Sequence, residues 1–383
     1  MAGARALMQG GQAAQAVRLL RELAAERPDD LEVWFALGTA HGMLNEDAEA
    51  ELAFREAARL RPDVRDAHLN VAFSLVYQGK LRESLAPFLT AWRLNPADRS
   101  ADDALLWALL SVLQDEPAGP QAYPALDALG PRPLVSVILP TRDRPRMLRD
   151  ALKSVARQTY VEWQAIVVND AGADIAGVVG SLPRAAAARI TTIELPSPLG
   201  AAGARNRAIA QAKGEVLAFL DDDDVYLPGH LETLVDGLAR SGAPVAYTQS
   251  VAIEERIVDG QRVELRRGEP RDYRYSRAIL LVRNVIPIVN WGMRRECFRR
   301  WGGFDESLAC AEDWELLLRY SERTPFLRIA RTTADIRVRA GAPDSITTRV
   351  PLGPTCELLY GKYPARGGEL IAIGREVFAA SVG

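Results

Sequence analysis

The sequence predicts two regions of different class. An all-α region of helical repeats comes first, and an α/β domain follows, built on a mostly parallel mixed sheet with helices on both faces. Three observations predict it. Pro28, Pro62 and Pro96 stand 34 residues apart, twice. From residue 134, short apolar runs rich in β-branched residues alternate with stretches of helical period. Three of those runs end in polar residues: Thr141-Arg142-Asp143, Asn169-Asp170 and the four aspartates 221–224.

The repeats occupy residues 1–114. Aligned on the prolines, Leu20, Phe54 and Phe88 fall in register, as do Ala16, Ala50 and Ser84. Small residues such as Gly38, Ala50 and Ala57 let two antiparallel helices approach closely, while Trp34, Phe54 and Phe88 fill the gaps between layers. Each proline closes a helical pair because it cannot continue the helix. In these positions the segment "VWFALGTAHGMLNEDAEAELAFREAARLRPD" is similar to a tetratricopeptide repeat, with one partial repeat, two fuller ones and a closing helix at "ADDALLWALLSVL". Such solenoids bind proteins or assemble subunits, so a protein partner is expected here.

A stretch rich in Pro, Gly and Ala, 115–133, reads as a linker. The α/β domain is expected over 134–348. "LVSVILP" (134–140), "WQAIVVND" (163–170), "RITTIEL" and "EVLAFL" read as strands. "RPRMLRDALKSVARQT" and "AAGARNRAIAQAK" read as helices between them, and "DIAGVVGSL" as a weaker one. In such sheets ligands gather at the carboxyl ends of the strands. Residues 254–277 read as a hairpin turning at Asp259-Gly260 with a basic loop, either a solvated surface or a cover over the site. Residues 349–383 read as a helical tail.

"EVLAFLDDDDVYLPGHL" places four carboxylates directly after a buried strand. A solvated turn would not need that much mutual repulsion. Carboxylates held by a rigid element supply hard oxygen ligands for a divalent cation.

Taken in order, "VSVILPTRDRPRMLRDALKSVARQTYVEWQAIVVNDAG", "GAAGARNRAIAQAKG", "LAFLDDDD" and "GGFDESLACAEDWELLLRY" resemble a family 2 glycosyltransferase of the GT-A type. The resemblance implies that Pro140, Thr141 and Asp143 line a nucleotide pocket, that Asp170 contacts the base, and that Arg205 and Asn206 steady the nucleotide side. Asn-Asp-Ala-Gly stands here where the family more often has Asp-Asp-Gly-Ser. Asp221, Asp222 and Asp223 cover the D-x-D motif. Asp223 is the implied metal ligand, with Asp221 beside it and Asp221 and Asp222 nearer the ribose, for Mn²⁺ or Mg²⁺.

Glu312-Asp313 resemble the Glu-Asp pair whose aspartate deprotonates the acceptor hydroxyl, which implies inversion at the anomeric carbon. Two acceptor-side positions are less defined. Trp291 either stacks on a sugar or belongs to the core. Arg339 stands near the place where the family often has a histidine, and approaches the diphosphate as a cation.

The expected activity is metal-dependent, inverting transfer from a nucleotide-diphosphate sugar to a hydroxyl of a glycan, lipid-linked or protein acceptor. A nucleotidyltransferase or sugar-nucleotide pyrophosphorylase is the first alternative, though "PTRDRPRM" lacks the glycine-rich loop those enzymes carry. A non-catalytic repeat scaffold with a degenerate transferase domain is the second. The chain is 48% hydrophobic and 25% charged with a net charge of −3, so no overall basic field draws nucleic acid. Cys297, Cys310 and Cys356 are too scattered for a disulfide framework and fit a reducing compartment. The N-terminus lacks a signal-peptide core and no long apolar run spans a bilayer, so a cytoplasmic location, with a peripheral membrane position left open, is expected.

Overall fold

The structure is a computed structural model that describes residues 1–96, 102–114, 120, 122–258, 261–271, 274–339, 350–365 and 368–382. Two compact units emerge, one formed by Met1–Glu116 with Gly368–Ser381, the other by Pro117–Gly367. The C-terminal stretch therefore divides: helix Leu352–Lys362 lies in the second unit and helix Glu369–Val382 falls almost wholly in the first.

In the first unit, α1 (Ala2–Gln9), α2 (Ala13–Glu26), α3 (Leu31–Gly42), α4 (Asp47–Leu60), α5 (Arg65–Tyr77), α6 (Leu81–Leu94) and α7 (Asp102–Leu113) pack each against the next. The starts of α2, α4 and α6 are spaced by 34 residues, as are those of α3 and α5. Pro28, Pro62 and Pro96 fall just after α2, α4 and α6. A Cβ on Gly38 would lie 2.8 Å from the Phe54 ring, so a side chain there would push α4 away from α3. Phe54 in turn meets Phe35 edge-to-face at 5.3 Å, and Phe88 meets Phe73 at the same distance one repeat later.

The second unit is built on one nine-stranded sheet with order β3-β2-β1-β4-β8-β6-β9-β5, and β7 pairs with β6. Its strands are β1 (Val135–Thr141), β2 (Trp163–Asn169), β3 (Ile190–Glu194), β4 (Val216–Phe219), β5 (Val225–Tyr226), β6 (Val245–Val258), β7 (Gln261–Arg271), β8 (Trp291–Arg294) and β9 (Leu327–Arg339). The four strands β3-β2-β1-β4 are all parallel. Beyond β4 the sheet is mixed: β8 runs antiparallel to both β4 and β6, and β9 parallel to β6. β1, β2 and β4 are almost wholly buried, in keeping with runs that lack polar alternation.

The connecting helices of this unit are α8 (Pro145–Ala156), α9 (Ala176–Gly180), α10 (Arg184–Ala187), α11 (Gly200–Gln211), α12 (His230–Ser241), α13 (Arg277–Leu280), α14 (Arg295–Trp301) and α15 (Glu312–Ser321). Leu148, Leu152 and Val155 of α8 enter the core beneath Val137 and Leu139, giving the apolar face its spacing predicts.

The described residues at the end of the stretch read as a linker bond to this unit. Arg294 donates to the carbonyl of Asp127 at 2.7 Å, Gly130 N–H donates to Glu215 at 3.1 Å, and Tyr160 donates to the Pro133 carbonyl at 2.7 Å. The expected hairpin over 254–277 forms between β6 and β7, with Val258 paired to Gln261; its turn, Asp259-Gly260, lies outside the described residues, as does the stretch 340–349. No described helix is long and apolar enough to cross a membrane.

Candidate active site

Because β1, β2 and β4 are parallel and in step, their carboxyl ends open on one edge: Thr141 lies beside Asn169, and Ile138 beside Phe219. The loops leaving that edge are tightly turned. Asp143 and Ala171 both take left-handed backbone, at φ 57° and 55°. A Cβ on Gly172 would sit 2.7 Å from the Asp143 nitrogen, so glycine is what lets the two loops touch. Asp143 accepts the Ala173 N–H at 2.9 Å. Asn169 donates to Glu194 at 2.7 Å and accepts from Gly172 N–H, while Pro140 is half-buried and Thr141 buried. Asp170 turns the other way: its two oxygens accept the N–H groups of Leu199 and Gly200 at 2.6 and 3.0 Å, capping the start of α11.

The four aspartates after β4 divide by exposure. Asp222 is buried, accepting from Thr141 Oγ1 at 2.7 Å and from Arg144 at 3.1 Å. Asp224 is buried and accepts the Arg337 N–H at 3.0 Å. The side chains of Asp221 and Asp223 keep 33% and 24% of their surface, so these two face the cleft. Arg144 also donates to Asp223 at 3.0 Å, and Arg339 approaches the same carboxylate at 3.7 Å. Burial, then the neighbouring charge of Asp223, pushes Asp222 up to about 6 despite Arg144. Burial and the charge of Asp221 likewise raise Asp223. Asp224 is raised well above the usual carboxylate range by burial and then by Asp223 and Asp221.

Arg205, near the middle of α11, is buried and spans the cleft. One guanidinium nitrogen donates to Asp221 at 2.7 Å and the other to Glu312 in a short ion pair. Burial alone would lower its proton affinity, but the charges of Asp221 and Glu312 outweigh that and raise it. The next residue, Asn206, brackets Phe304: it donates to the carbonyl at 2.9 Å and accepts the N–H at 3.0 Å. The Gly302-Gly303-Phe304 segment is thereby pinned to α11 ahead of α15.

Asp313 lies in the first turn of α15. Its Oδ1 accepts the Trp314 N–H at 2.7 Å and its Oδ2 accepts Asn284 Nδ2 at 2.9 Å. Burial first, then the charge of Glu312, pushes Asp313 up to about 7, against the pull of Arg205 and the Trp314 amide. A carboxylate poised there holds or releases a proton near neutrality, as a general base must.

Among the described residues no three His, Cys, Asp or Glu side chains are grouped to hold a metal by themselves. The partly exposed pair Asp221 and Asp223 offers hard oxygen donors of the kind that fit a divalent cation such as Mg²⁺ or Mn²⁺.

Residues 136–302 match the model of the family described as glycosyl transferase family 2. The match assigns this stretch, a little under half of the chain, to that family. The provisionally named colanic acid biosynthesis glycosyl transferase WcaA of Escherichia coli (strain K12) is 31% identical over 49% of this chain and 66% of its own length. The glycosyltransferase YwdF of Bacillus subtilis (strain 168), of uncharacterized role, is 28% identical over 48% of this chain and 67% of its own length. WfgD of Escherichia coli, a UDP-Glc:alpha-D-GlcNAc-diphosphoundecaprenol beta-1,3-glucosyltransferase, is 29% identical over 34% of this chain; the chain spans 51% of it, about half. Among solved structures, S. aureus TarS 1-349 in complex with UDP-GlcNAc is similar at a TM-score of 0.48, with 19% identity over 64% of this chain and 70% of that one.

Hydrogen bonds join Thr141 to Asp222, Asp222 to Asp223 through Arg144, and Asp221 to Glu312 through Arg205, and Asp313 follows Glu312 in the first turn of α15. Asp143 and Asp170 stand at the neighbouring loop ends. Trp291 is corrected. It is fully buried, donates its indole N–H to the Ile286 carbonyl at 3.0 Å and meets Phe219 edge-to-face, so it offers no face to a sugar. Arg144 and Asn284 were not singled out from the sequence. Arg144 stands among Arg142 and Arg146, and only the reversal at Asp143 decides which one meets the acidic motif. Asn284 lies 29 residues before Asp313, with no spacing signal to connect them.

Proposed function

We propose that the protein transfers a sugar from a nucleotide-diphosphate donor to an acceptor hydroxyl, with inversion and with the help of Mn²⁺ or Mg²⁺. The observation that carries this reading is the Arg205 bridge, which ties Asp221 of the acidic motif to Glu312, next to Asp313, within one cleft. A leaving diphosphate and an attacking hydroxyl need their two carboxylate sets in such proximity.

In this reading Asp223 and Asp221 hold the cation. When bound, it offsets the charge of the departing diphosphate, an attraction worth about 1 kcal/mol in bulk water and several kcal/mol in a cleft. Thr141 and Arg144 fix Asp222, keeping the loop in place. Asp313 takes the acceptor's proton on an oxygen oriented by Asn284 and the Trp314 amide. Arg205 neutralises Glu312 and Asp221 so that Asp313 can ionise in their company. Pro140, Asp143 and Asp170 border the nucleotide side, and Arg339 faces the diphosphate.

The repeat unit, with Leu52, Tyr77 and Trp107 more than half exposed on its surface, positions a protein or glycan acceptor. A lipid-linked acceptor is supported by the similarity to WfgD, a transferase to a diphosphoundecaprenol-linked sugar.

The test is release of nucleoside diphosphate from a panel of nucleotide sugars with Mn²⁺. Release should fall at least about a hundredfold in Asp313→Asn and in Asp223→Ala. Pyrophosphate-dependent exchange without sugar transfer would overturn the reading in favour of a nucleotidyltransferase.

A further inference from the structure

Four carboxylates in a row repel one another and press their loop open. The chain leaves β4 at Phe219 and returns in β5 at Tyr226. Within the loop, the Asp224 N–H donates to the Asp221 carbonyl at 3.1 Å and tightens the turn. A side chain joins the two feet: the Tyr226 hydroxyl donates to the Phe219 carbonyl. Both residues are buried, so water does not compete for that bond.

Tyr226 is held in turn. His230, fully buried in the first turn of α12, stacks on its ring with centroids 3.9 Å apart and planes inclined by 17°. Thr333 of β9 donates its hydroxyl to Thr248 at 2.7 Å, so its oxygen accepts from His230 Nδ1, also at 2.7 Å. That bond fixes the imidazole's tautomer and tilt. Burial brings His230 down to about 3, which leaves the stacked ring neutral. Its Nε2 is buried without a partner, a cost that a residue serving only to fill the core would avoid. The backbone of the same segment is anchored as well. Tyr226 N–H donates to Ser154 Oγ at 3.2 Å, and Leu227 N–H donates to the Thr333 carbonyl at 2.8 Å. The phenol therefore cannot swing off Phe219 without breaking its stack on His230.

We propose that Tyr226 and His230 are positioning residues for the acidic motif. The Tyr226 hydroxyl pins the end of β4 to the start of β5, and His230 keeps that hydroxyl in place, so that Asp221 and Asp223 are set for a divalent cation. That the loop serves a cation rests on the transferase reading above; the clasp itself does not. A closed loop lowers the cost of gathering two carboxylates at one ion, because their arrangement exists before the ion arrives.

The experiment measures Mn²⁺ binding to the full chain by electron paramagnetic resonance, without donor or acceptor, at a temperature far below unfolding. Tyr226→Phe keeps the stacked ring and deletes only the hydroxyl. It should weaken Mn²⁺ binding about tenfold, the scale of one buried hydrogen bond. His230→Ala removes the stack and should weaken binding similarly, and His230→Phe, which restores a flat neutral ring, should recover part of the loss. Hydrogen–deuterium exchange over residues 216–227, measured without metal, reads the clasp alone and should be faster in Tyr226→Phe than in wild type. A residue that only supports the fold would lower Tm and leave both readouts unchanged at that temperature.

Equal Mn²⁺ affinity in wild type, Tyr226→Phe and His230→Ala overturns the proposal and leaves the cation reading standing. Unchanged exchange in Tyr226→Phe overturns the clasp whatever the metal does. Faster exchange in Tyr226→Phe, with no Mn²⁺ bound by wild type, would instead leave the clasp standing and sink the cation reading.

Discussion

Asn284 donates its side-chain amide to Oδ2 of Asp313 at 2.9 Å. The amide cannot turn over without loss, because its own Oδ1 accepts the Ile286 N–H at 2.9 Å. This contact favours the ionised carboxylate, while burial and Glu312 disfavour it and bring Asp313 to about 7. Transfer should therefore rise with pH through about 7 and level off above. Asn284→Ala removes a donor to the charged form, so its acid limb should move to higher pH. A rate profile flat down to pH 5 would exclude Asp313 as the base.

The same raised value has an opposite consequence for stability. Between the ordinary aspartate value of 3.8 and about 7, the folded state holds a proton that the unfolded state has lost. Stability from this residue is thus full below the unfolded value and lost as pH rises through about 7. Asp313→Asn should abolish transfer yet raise Tm at pH 8, with the gain shrinking toward pH 4. Scanning calorimetry at the two pH values checks it; a lower Tm for the variant at pH 8 contradicts it.

Arg205 is buried between two carboxylates from different elements. Removing it leaves Asp221 and Glu312 facing one another without compensation. Arg205→Met should cost about 3–5 kcal/mol in urea unfolding, the scale for one lost partner of a buried ion pair. Adding Glu312→Gln should recover part of that loss, since it deletes one of the stranded charges. Full additivity of the two changes would show that the bridge does not couple them.

How far the sequence could be read depended on how local the determinants were. β1, β2, β4 and α8 were legible because each is a continuous apolar run or a helical stripe, and burial follows from the run itself. The helical pairs were legible because the proline period repeats. The mixed half of the sheet was not, because the pairing of β6 with β9 joins segments some eighty residues apart and carries two register shifts. Trp291 stayed ambiguous for a similar reason: a tryptophan in an apolar stretch shows neither its Phe219 neighbour nor its burial. The acidic motif was visible as a run, but which two of its four carboxylates face the cleft depends on Thr141, Arg144 and Arg337 reaching it from other elements.

That division of the aspartates predicts their response to metal. Mn²⁺ should raise the Tm of the wild-type chain, by an amount equivalent to about 2.7 kcal/mol at a hundred times the dissociation constant. Asp223→Ala and Asp221→Ala should lose the shift. Asp224→Asn should keep it, because the Asp224 carboxylate is buried and engaged with the Arg337 N–H. A shift that disappears only in the Asp224 variant would place the cation on the wrong side of the loop.

In the repeat unit, the approach of Phe54 to Gly38 is testable without any substrate. A methyl group on Gly38 would lie 2.8 Å from three ring carbons, well inside contact distance. The helical backbone accepts alanine, and alanine favours a helix by about 1 kcal/mol over glycine. Overpacking should outweigh that gain, for a net loss of about 1–2 kcal/mol in Gly38→Ala. Phe54→Leu alone should also destabilise, by leaving a cavity beside Phe35. Together the two should cost less than their sum, because the smaller side chain makes room for the methyl. A double-mutant cycle on denaturant midpoints reads the coupling directly. Strict additivity would mean that α3 and α4 part freely, and that glycine at this position is not what holds them close.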